Sequence, residues 1–229
     1  MRPAAEWFCW KAGAGTAAEN MAIDEVLLDN VAQLGMPILR LYSWSERAAS
    51  FGYFQKYAEV AEMTPLRPLV RRPTGGGLVP HDADWTYSLV FAPGDEWYAL
   101  KAVQSYERVH DWVKAAFLAL DVPAEVATER RNASAGQCFA GAEQHDVLWM
   151  DRKIAGGAQR RNRKGLLIQG SIQPPPGIGR EKWEGAFRKF AEQSWHVRWI
   201  DFKPGEEFME QAAEAVKNKF GREDYNRRR

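Results

Sequence analysis

Three consecutive glycines, Gly75-Gly76-Gly77, follow Arg71-Arg72-Pro73-Thr74 and run on into Leu78-Val79-Pro80-His81-Asp82. Glycine loses more backbone freedom on folding than any other residue, and proline removes a backbone donor, so such a run belongs to neither a helix interior nor a central strand. The chain must form a loop here, and two readings of it stay open. Bare amides beside arginines suit an anion such as a phosphate or carboxylate, or a close approach of backbone to ligand. A hairpin turn flanked by solvated arginines satisfies the same residues. No Gly-Lys-Ser/Thr follows, so the segment is not a P-loop, and its glycines lack the dinucleotide-fold spacing. His81-Asp82 has no metal-ligand spacing to another His or Cys, and a lone His is more often structural than catalytic.

The frame around this loop is ordinary for a globular chain. At 229 residues, with 45% hydrophobic and 12% aromatic content, the chain suits one domain over 1–221 with a polar tail over 222–229. Those fractions exclude intrinsic disorder. A net charge of +1 argues against a nucleic-acid coat protein. No apolar run reaches signal-peptide or bilayer length, so a cytoplasmic protein without a membrane partner is expected. Cys9 and Cys138 cannot build a disulfide framework. Two reduced thiols are the simpler reading, and a single bridge stays open.

Periodicity predicts a first strand in 1–11 and a helix over 17–34 stopped by Gly35-Met36-Pro37. Strands are expected over 38–44, 50–54, 85–91, 146–150 and 166–172, the last two around a loop of Gly and Arg. Residues 56–63 read as a short helix ended by Thr64-Pro65. The most regular helix is 100–120, where Tyr106, Val109, Val113, Phe117 and Leu120 recur at three- and four-residue steps. Residues 180–193 and 206–220 also read as helices, and the tail from Arg222 as frayed. Interleaved helices and close strand pairs predict an α+β domain with a mixed, largely antiparallel sheet.

A second dense segment runs from Gly136-Gln137-Cys138-Phe139 through His145-Asp146 to Lys153-Ile154-Ala155-Gly156-Gly157-Ala158-Gln159. A lysine beside accessible glycine backbone can serve as a fixed positive charge on a leaving group or carbonyl. It can equally be an exposed hairpin lysine. Cys138 is either an acyl-accepting nucleophile, given nearby cations, or a small buried hydrophobe.

Taken together these segments resemble the biotin/lipoate protein ligase superfamily, in its branch of lipoate–protein ligases and cysteine-dependent octanoyltransferases. The matching stretches are Asn20-Met21-Ala22-Ile23-Asp24-Glu25, Arg40-Leu41-Tyr42, Ser50-Phe51-Gly52 with Gln55, Arg71 through Asp82, Lys153 through Gln159, and Gln169-Gly170-Ser171-Ile172. Their order is kept from residue 20 to 172. The resemblance implies a fold shared with class II aminoacyl-tRNA synthetases and biotin ligases. It implies attachment of an octanoyl or lipoyl group to a lysine of a lipoyl carrier domain. Arg71, Arg72, Thr74, Gly75, Gly76, Gly77 and His81 would line the acyl site with Gly156, Gly157, Ala158, Gln169 and Gly170. Lys153 falls on the family's catalytic lysine. Gln169 stands where family members commonly carry His, and Gly77 completes a ligase-like triple glycine.

Two mechanisms compete within that resemblance. Cys138, fifteen residues before Lys153, and Asp82 through Ser88 resemble the cysteine-dependent transferases. These take the acyl group from octanoyl-acyl carrier protein as a thioester and require no cofactor and no metal. The alternative is an ATP- and Mg-dependent lipoate–protein ligase acting through lipoyl-AMP, or a non-catalytic acyl-binding subunit. No general base is legible; His145 is the nearest candidate in sequence. Arg71-Arg72 and Arg160–Lys164 form basic clusters suited to an acidic carrier. The motifs finish near residue 172, which predicts little room for a further accessory domain.

Overall fold

The computed structural model describes residues 4–130, 136 and 138–228; residues 1–3, Gln137 and Arg229, to which the sequence assigns strand, site and tail positions, lie outside them. In chain order the elements are β1 (Ala5–Gly15), α1 (Ala17–Leu34), β2 (Ile38–Trp44), β3 (Ala48–Phe51), α2 (Tyr57–Met63), β4 (Leu69–Arg71), β5 (Val79–His81) and β6 (Trp85–Phe91). There follow α3 (Glu96–Ala99), α4 (Ala102–Leu118), β7 (Glu125–Val126), β8 (Val147–Trp149), β9 (Arg152–Asn162), β10 (Gly165–Ile172), α5 (Arg180–Trp195), β11 (Val197–Asp201), α6 (Glu206–Ala215), a π-helical turn (Val216–Phe220) and α7 (Glu223–Asn226).

An eight-stranded sheet in the order β11-β1-β2-β6-β10-β9-β8-β7 forms the centre, and a three-stranded sheet β4-β3-β5 lies beside it. β1 pairs in parallel with both β11 and β2, whereas β2 through β10 and β9 to β7 pair antiparallel. The α+β expectation, with a mixed and largely antiparallel sheet, matches this arrangement. One face of the large sheet is dry and aromatic. Trp7, Trp97 and Trp112 pack there with Phe91, Phe117 and Phe187, under α4 and α5. Ring pairs such as Trp112–Phe187, with centroids 3.8 Å apart, add to the area buried. On the other face Leu27, Leu28 and Val31 of α1 meet Ile38, Val90 and Leu167.

Helix α1 starts and stops where local chemistry dictates. Thr16 and Glu19 form a capping box, with the Glu19 amide donating to Thr16 Oγ1 at 3.3 Å, and Gly35 ends the helix in the left-handed region at φ 75°. The Gly-Arg stretch expected to be a loop between two strands is instead β9, an eleven-residue strand. Gly156-Gly157 lowers its intrinsic strand preference, but β8 and β10 pair with it on either side, and ladder pairing outweighs propensity. β11 had no sequence signal strong enough to predict.

The tail expected to fray after Arg222 folds back onto the body. Tyr225 is buried against Phe220, and Asn226 Oδ1 accepts the Arg71 amide at 2.8 Å. An aromatic ring with a core to enter outweighs the polar composition around it. No helix among the described residues is long and apolar enough to cross a membrane. Cys9 and Cys138 are both free, and burial raises the pKa of the Cys9 thiol.

Candidate active site

The glycine loop and the Cys138 loop are laced together. Leu78 N donates to Gly136 O at 2.7 Å and Cys138 N donates to Leu78 O at 3.0 Å. A Cβ on Gly77 would lie 2.9 Å from Gly136 O and 3.0 Å from Cys138 N, so this approach requires glycine. Lys153 is delivered by the β8–β9 hairpin, opposite Leu148. The two turn residues, Met150 and Asp151, both have positive φ, as a tight primed turn demands.

At this junction Lys153 Nζ donates to Cys138 Sγ at 3.2 Å and lies 2.7 Å from Asp146 Oδ2. Asp146 is fully buried and accepts further from Tyr106 Oη at 2.5 Å and from the Glu143 amide at 2.7 Å. Burial pulls the Lys153 ammonium down, but Cys138 and Asp146 outweigh it and its pKa ends above the usual lysine value. Burial and the Asp146 charge raise Tyr106 well above the ordinary phenol value, so it acts as a donor to that carboxylate. Next to it His110 is pushed down to about 4 by burial, against the opposing influence of Asp146, and is neutral at pH 7. A Cβ on Gly156 would fall 2.7 Å from Lys153 Nζ and 3.0 Å from Asp146 Oδ1, which explains a glycine closely following the lysine.

A cleft opens beside this group. Of the residues predicted from sequence, Arg72, Gly76, His81, Cys138, Gly156, Gly157, Ala158, Gln169 and Gly170 line it. The others are placed differently. Arg71 is turned away, its guanidinium donating to the carbonyls of Tyr53, Gln55 and Asn226. Thr74 is buried and donates to Gln169 Oε1 at 2.6 Å, bracing the loop from behind. Gly75 and Gly77 supply carbonyls to Arg72 Nη2 at 2.9 and 2.8 Å. Arg72 thus clamps the loop while edging the cleft, and burial lowers its pKa to about 10 against the raising influence of Cys138 and Tyr42. Gln169 donates its amide to Asp24 Oδ2 at 2.7 Å, within a buried network that also joins Arg40, Tyr42 and Ser88 to Asp24. His145 does not line the cleft; its Nδ1 lies 3.9 Å from Glu107 Oε1.

Sequence reasoning gives no role to Asp146, which pairs with Lys153, or to Tyr106, which holds Asp146. Asp146 stands within the dense segment, and the three- and four-residue steps put Tyr106 on the apolar face of α4. The available signal was that face itself, since a phenol on a buried stripe needs an acceptor.

The lipoyl protein ligase A/B catalytic-domain model matches residues 16–173, well over half of the chain. The chain belongs to that family. This stretch holds every motif on which the resemblance was read. Curated relatives include the octanoyltransferase LipM of Carboxydothermus hydrogenoformans, 34% identical over 163 residues, which cover 69% of this chain and 61% of that protein. The LipM of Oceanobacillus iheyensis is 36% identical over 163 residues, covering 68% and 59%. The chain spans about three-fifths of the length of these relatives. Among solved structures, a lipoate–protein ligase A bound with ATP superposes with a TM-score of 0.77 at 19% identity, covering 98% of this chain and 99% of that one. A bi-partite lipoate protein ligase from Thermoplasma acidophilum gives 0.74 at 17% identity, covering 97% and 96%. At these identities the family's solved structures speak for the fold, and they match it over nearly the whole chain.

Proposed function

We propose that this chain is an acyltransferase that moves an octanoyl or lipoyl group onto a lysine of a lipoyl carrier domain, through a thioester on Cys138 formed from octanoyl-acyl carrier protein. The observation that carries this reading is the Cys138–Lys153–Asp146 chain of contacts at the edge of a cleft. The relatives named octanoyltransferase LipM support the reaction class.

In the first half-reaction Cys138 Sγ attacks the donor thioester carbonyl. A new C–S bond forms, the donor C–S bond breaks, and the carrier thiol leaves with the proton that Cys138 gives up. An ammonium has three donors, and two of those on Lys153 point to Cys138 and Asp146. The third meets the oxyanion that develops on the carbonyl. In the second half a neutral lysine amine of the acceptor attacks the Cys138 thioester. The amide C–N bond forms, the thiolate leaves, and it takes up the proton lost by the amine. A thioester already carries its activation, so this route requires neither ATP nor metal.

Intact-mass spectrometry after incubation with octanoyl-acyl carrier protein tests the proposal. The expected result is a hydroxylamine-labile octanoyl adduct, absent from Cys138→Ala. Normal transfer by Cys138→Ala would overturn it. Lipoate-dependent exchange of pyrophosphate into ATP in that variant would favour ATP-dependent ligation instead, and binding with neither adduct nor turnover would favour an acyl-binding subunit.

A further inference from the structure

Arg72 is buried, and among the described residues no carboxylate pairs with its guanidinium. A buried charge ordinarily has a partner of opposite sign beside it. Instead Arg72 Nη2 donates to the carbonyls of Gly75 and Gly77, and Nη1 donates to Ser50 Oγ at 2.9 Å. Ser50 Oγ in turn lies 2.6 Å from His81 Nε2, and His81 Nδ1 lies 2.8 Å from Asp84 Oδ2.

These are the spacings of a serine–histidine–aspartate triad, but the group is turned to another use. Ser50 is fully buried, and its oxygen is engaged by His81 on one side and Arg72 on the other. A carboxylate only accepts, so His81 Nδ1 donates to Asp84, and Nε2 of the neutral ring accepts the Ser50 hydroxyl. All three bonds then run one way, from Arg72 through Ser50 and His81 to Asp84, and each polarises the next. Asp84 is fixed by Thr86 Oγ1 and Ser171 Oγ, which donate to the same oxygen at 3.1 and 2.6 Å. Trp44 covers the His81 ring, with centroids 3.7 Å apart. The relay anchors the guanidinium and leaves its charge without a close counter-ion.

The anion within its field is the Cys138 sulfur. Arg72 and Cys138 line the same cleft. Gly77, which accepts from Arg72 Nη2 at 2.8 Å, lies against the Cys138 backbone, so that a Cβ on it would be 3.0 Å from Cys138 N. Of the influences that oppose the effect of burial on Arg72, that of Cys138 is the largest. We propose that Arg72 is the second positive charge of the site, stabilising negative charge on the Cys138 sulfur from the glycine-loop side, and that Ser50, His81 and Asp84 are positioning residues that fix it there. This rests on the acyl-transfer reading above, in which the sulfur carries that charge as it attacks and again as it leaves.

Alkylation of Cys138 in the full chain by neutral iodoacetamide and anionic iodoacetate at pH 7, located by mass so that Cys9 is counted apart, tests the assignment. Arg72→Gln keeps donors for the loop carbonyls and removes the charge. It should slow iodoacetamide by about tenfold and lower the iodoacetate-to-iodoacetamide ratio by about threefold or more. Arg72→Lys keeps the charge and should hold rate and ratio within about threefold of wild type. His81→Phe keeps a ring against Trp44 and cuts the relay; it should give a smaller loss in both, and it decides the matter if Arg72→Gln fails to fold. Wild-type rate and ratio in Arg72→Gln or in His81→Phe would overturn the proposal. So would Arg72→Lys as impaired as Arg72→Gln, since Arg72 would then act as a clamp on the loop and not through its charge. The expected pattern without an octanoyl adduct from octanoyl-carrier protein would overturn the transfer reading and leave the charge assignment standing.

Discussion

Burial pulls the pKa of Lys153 down, yet it ends above the usual lysine value. The countering groups are Cys138 and the fully buried Asp146, itself held by Tyr106 and the Glu143 amide. Asp146→Asn withdraws one of them, leaving burial more influential, so the Lys153 pKa should fall. Acylation of Cys138 that requires the ammonium should then fail at lower pH than in wild type, and its rate at pH 7 should drop by about 10²-fold. Adduct formation followed by mass across pH checks both, and an unchanged alkaline limb would show that Asp146 has only a structural role. His110 makes a separate prediction about stability. Its folded value of about 4 lies below the ordinary 6.5, because burial disfavours the cation. Between those values the unfolded chain binds more protons than the folded one, so stability present above pH 6.5 is lost as pH falls toward 4, by up to about 3 kcal/mol. Denaturant titrations at several pH values should show this slope, and His110→Phe should flatten it.

Strand β9 carries the site and also marks how far local sequence signals reach. Helices α1 and α4 were legible because their apolar periodicity and, for α1, its caps agree with their packing. β9 was not, because Gly156-Gly157 and the run of arginines look like a loop until two partner strands and the close approach of Lys153 are known. The site divides the same way. Residue type and spacing leave Cys138 and Lys153 with two readings each, and only the family resemblance singles them out, whereas Asp146 and Tyr106 join them through tertiary contact between α4 and the β8–β9 hairpin. Arg71 shows the converse, a motif residue whose guanidinium caps carbonyls outside the cleft. The packing over Gly156 predicts that Gly156→Ala leaves the fold largely intact and displaces Lys153. Acylation should fall by about 10²-fold while circular dichroism and melting temperature change little. A variant that acylates normally would show that Lys153 has room to move.

Across the whole molecule, the last helical turn belongs to the same packed body as the site. Tyr225 rests on Phe220, and Asn226 is joined to Arg71 through both its side chain and its carbonyl. Tyr225→Ala should cost roughly 3 kcal/mol of stability, measured by urea unfolding. Its octanoyl-adduct rate should also fall, because α7 braces the first residue of the glycine loop; a stability loss with a normal rate would separate the two. The family match ends at residue 173, yet the loop inside it is anchored by residues some fifty positions further along the chain. The family-matched block is therefore not a transplantable module. Grafted elsewhere or excised, residues 16–173 would carry Cys138 and Lys153 without the strut that keeps the glycine loop in register.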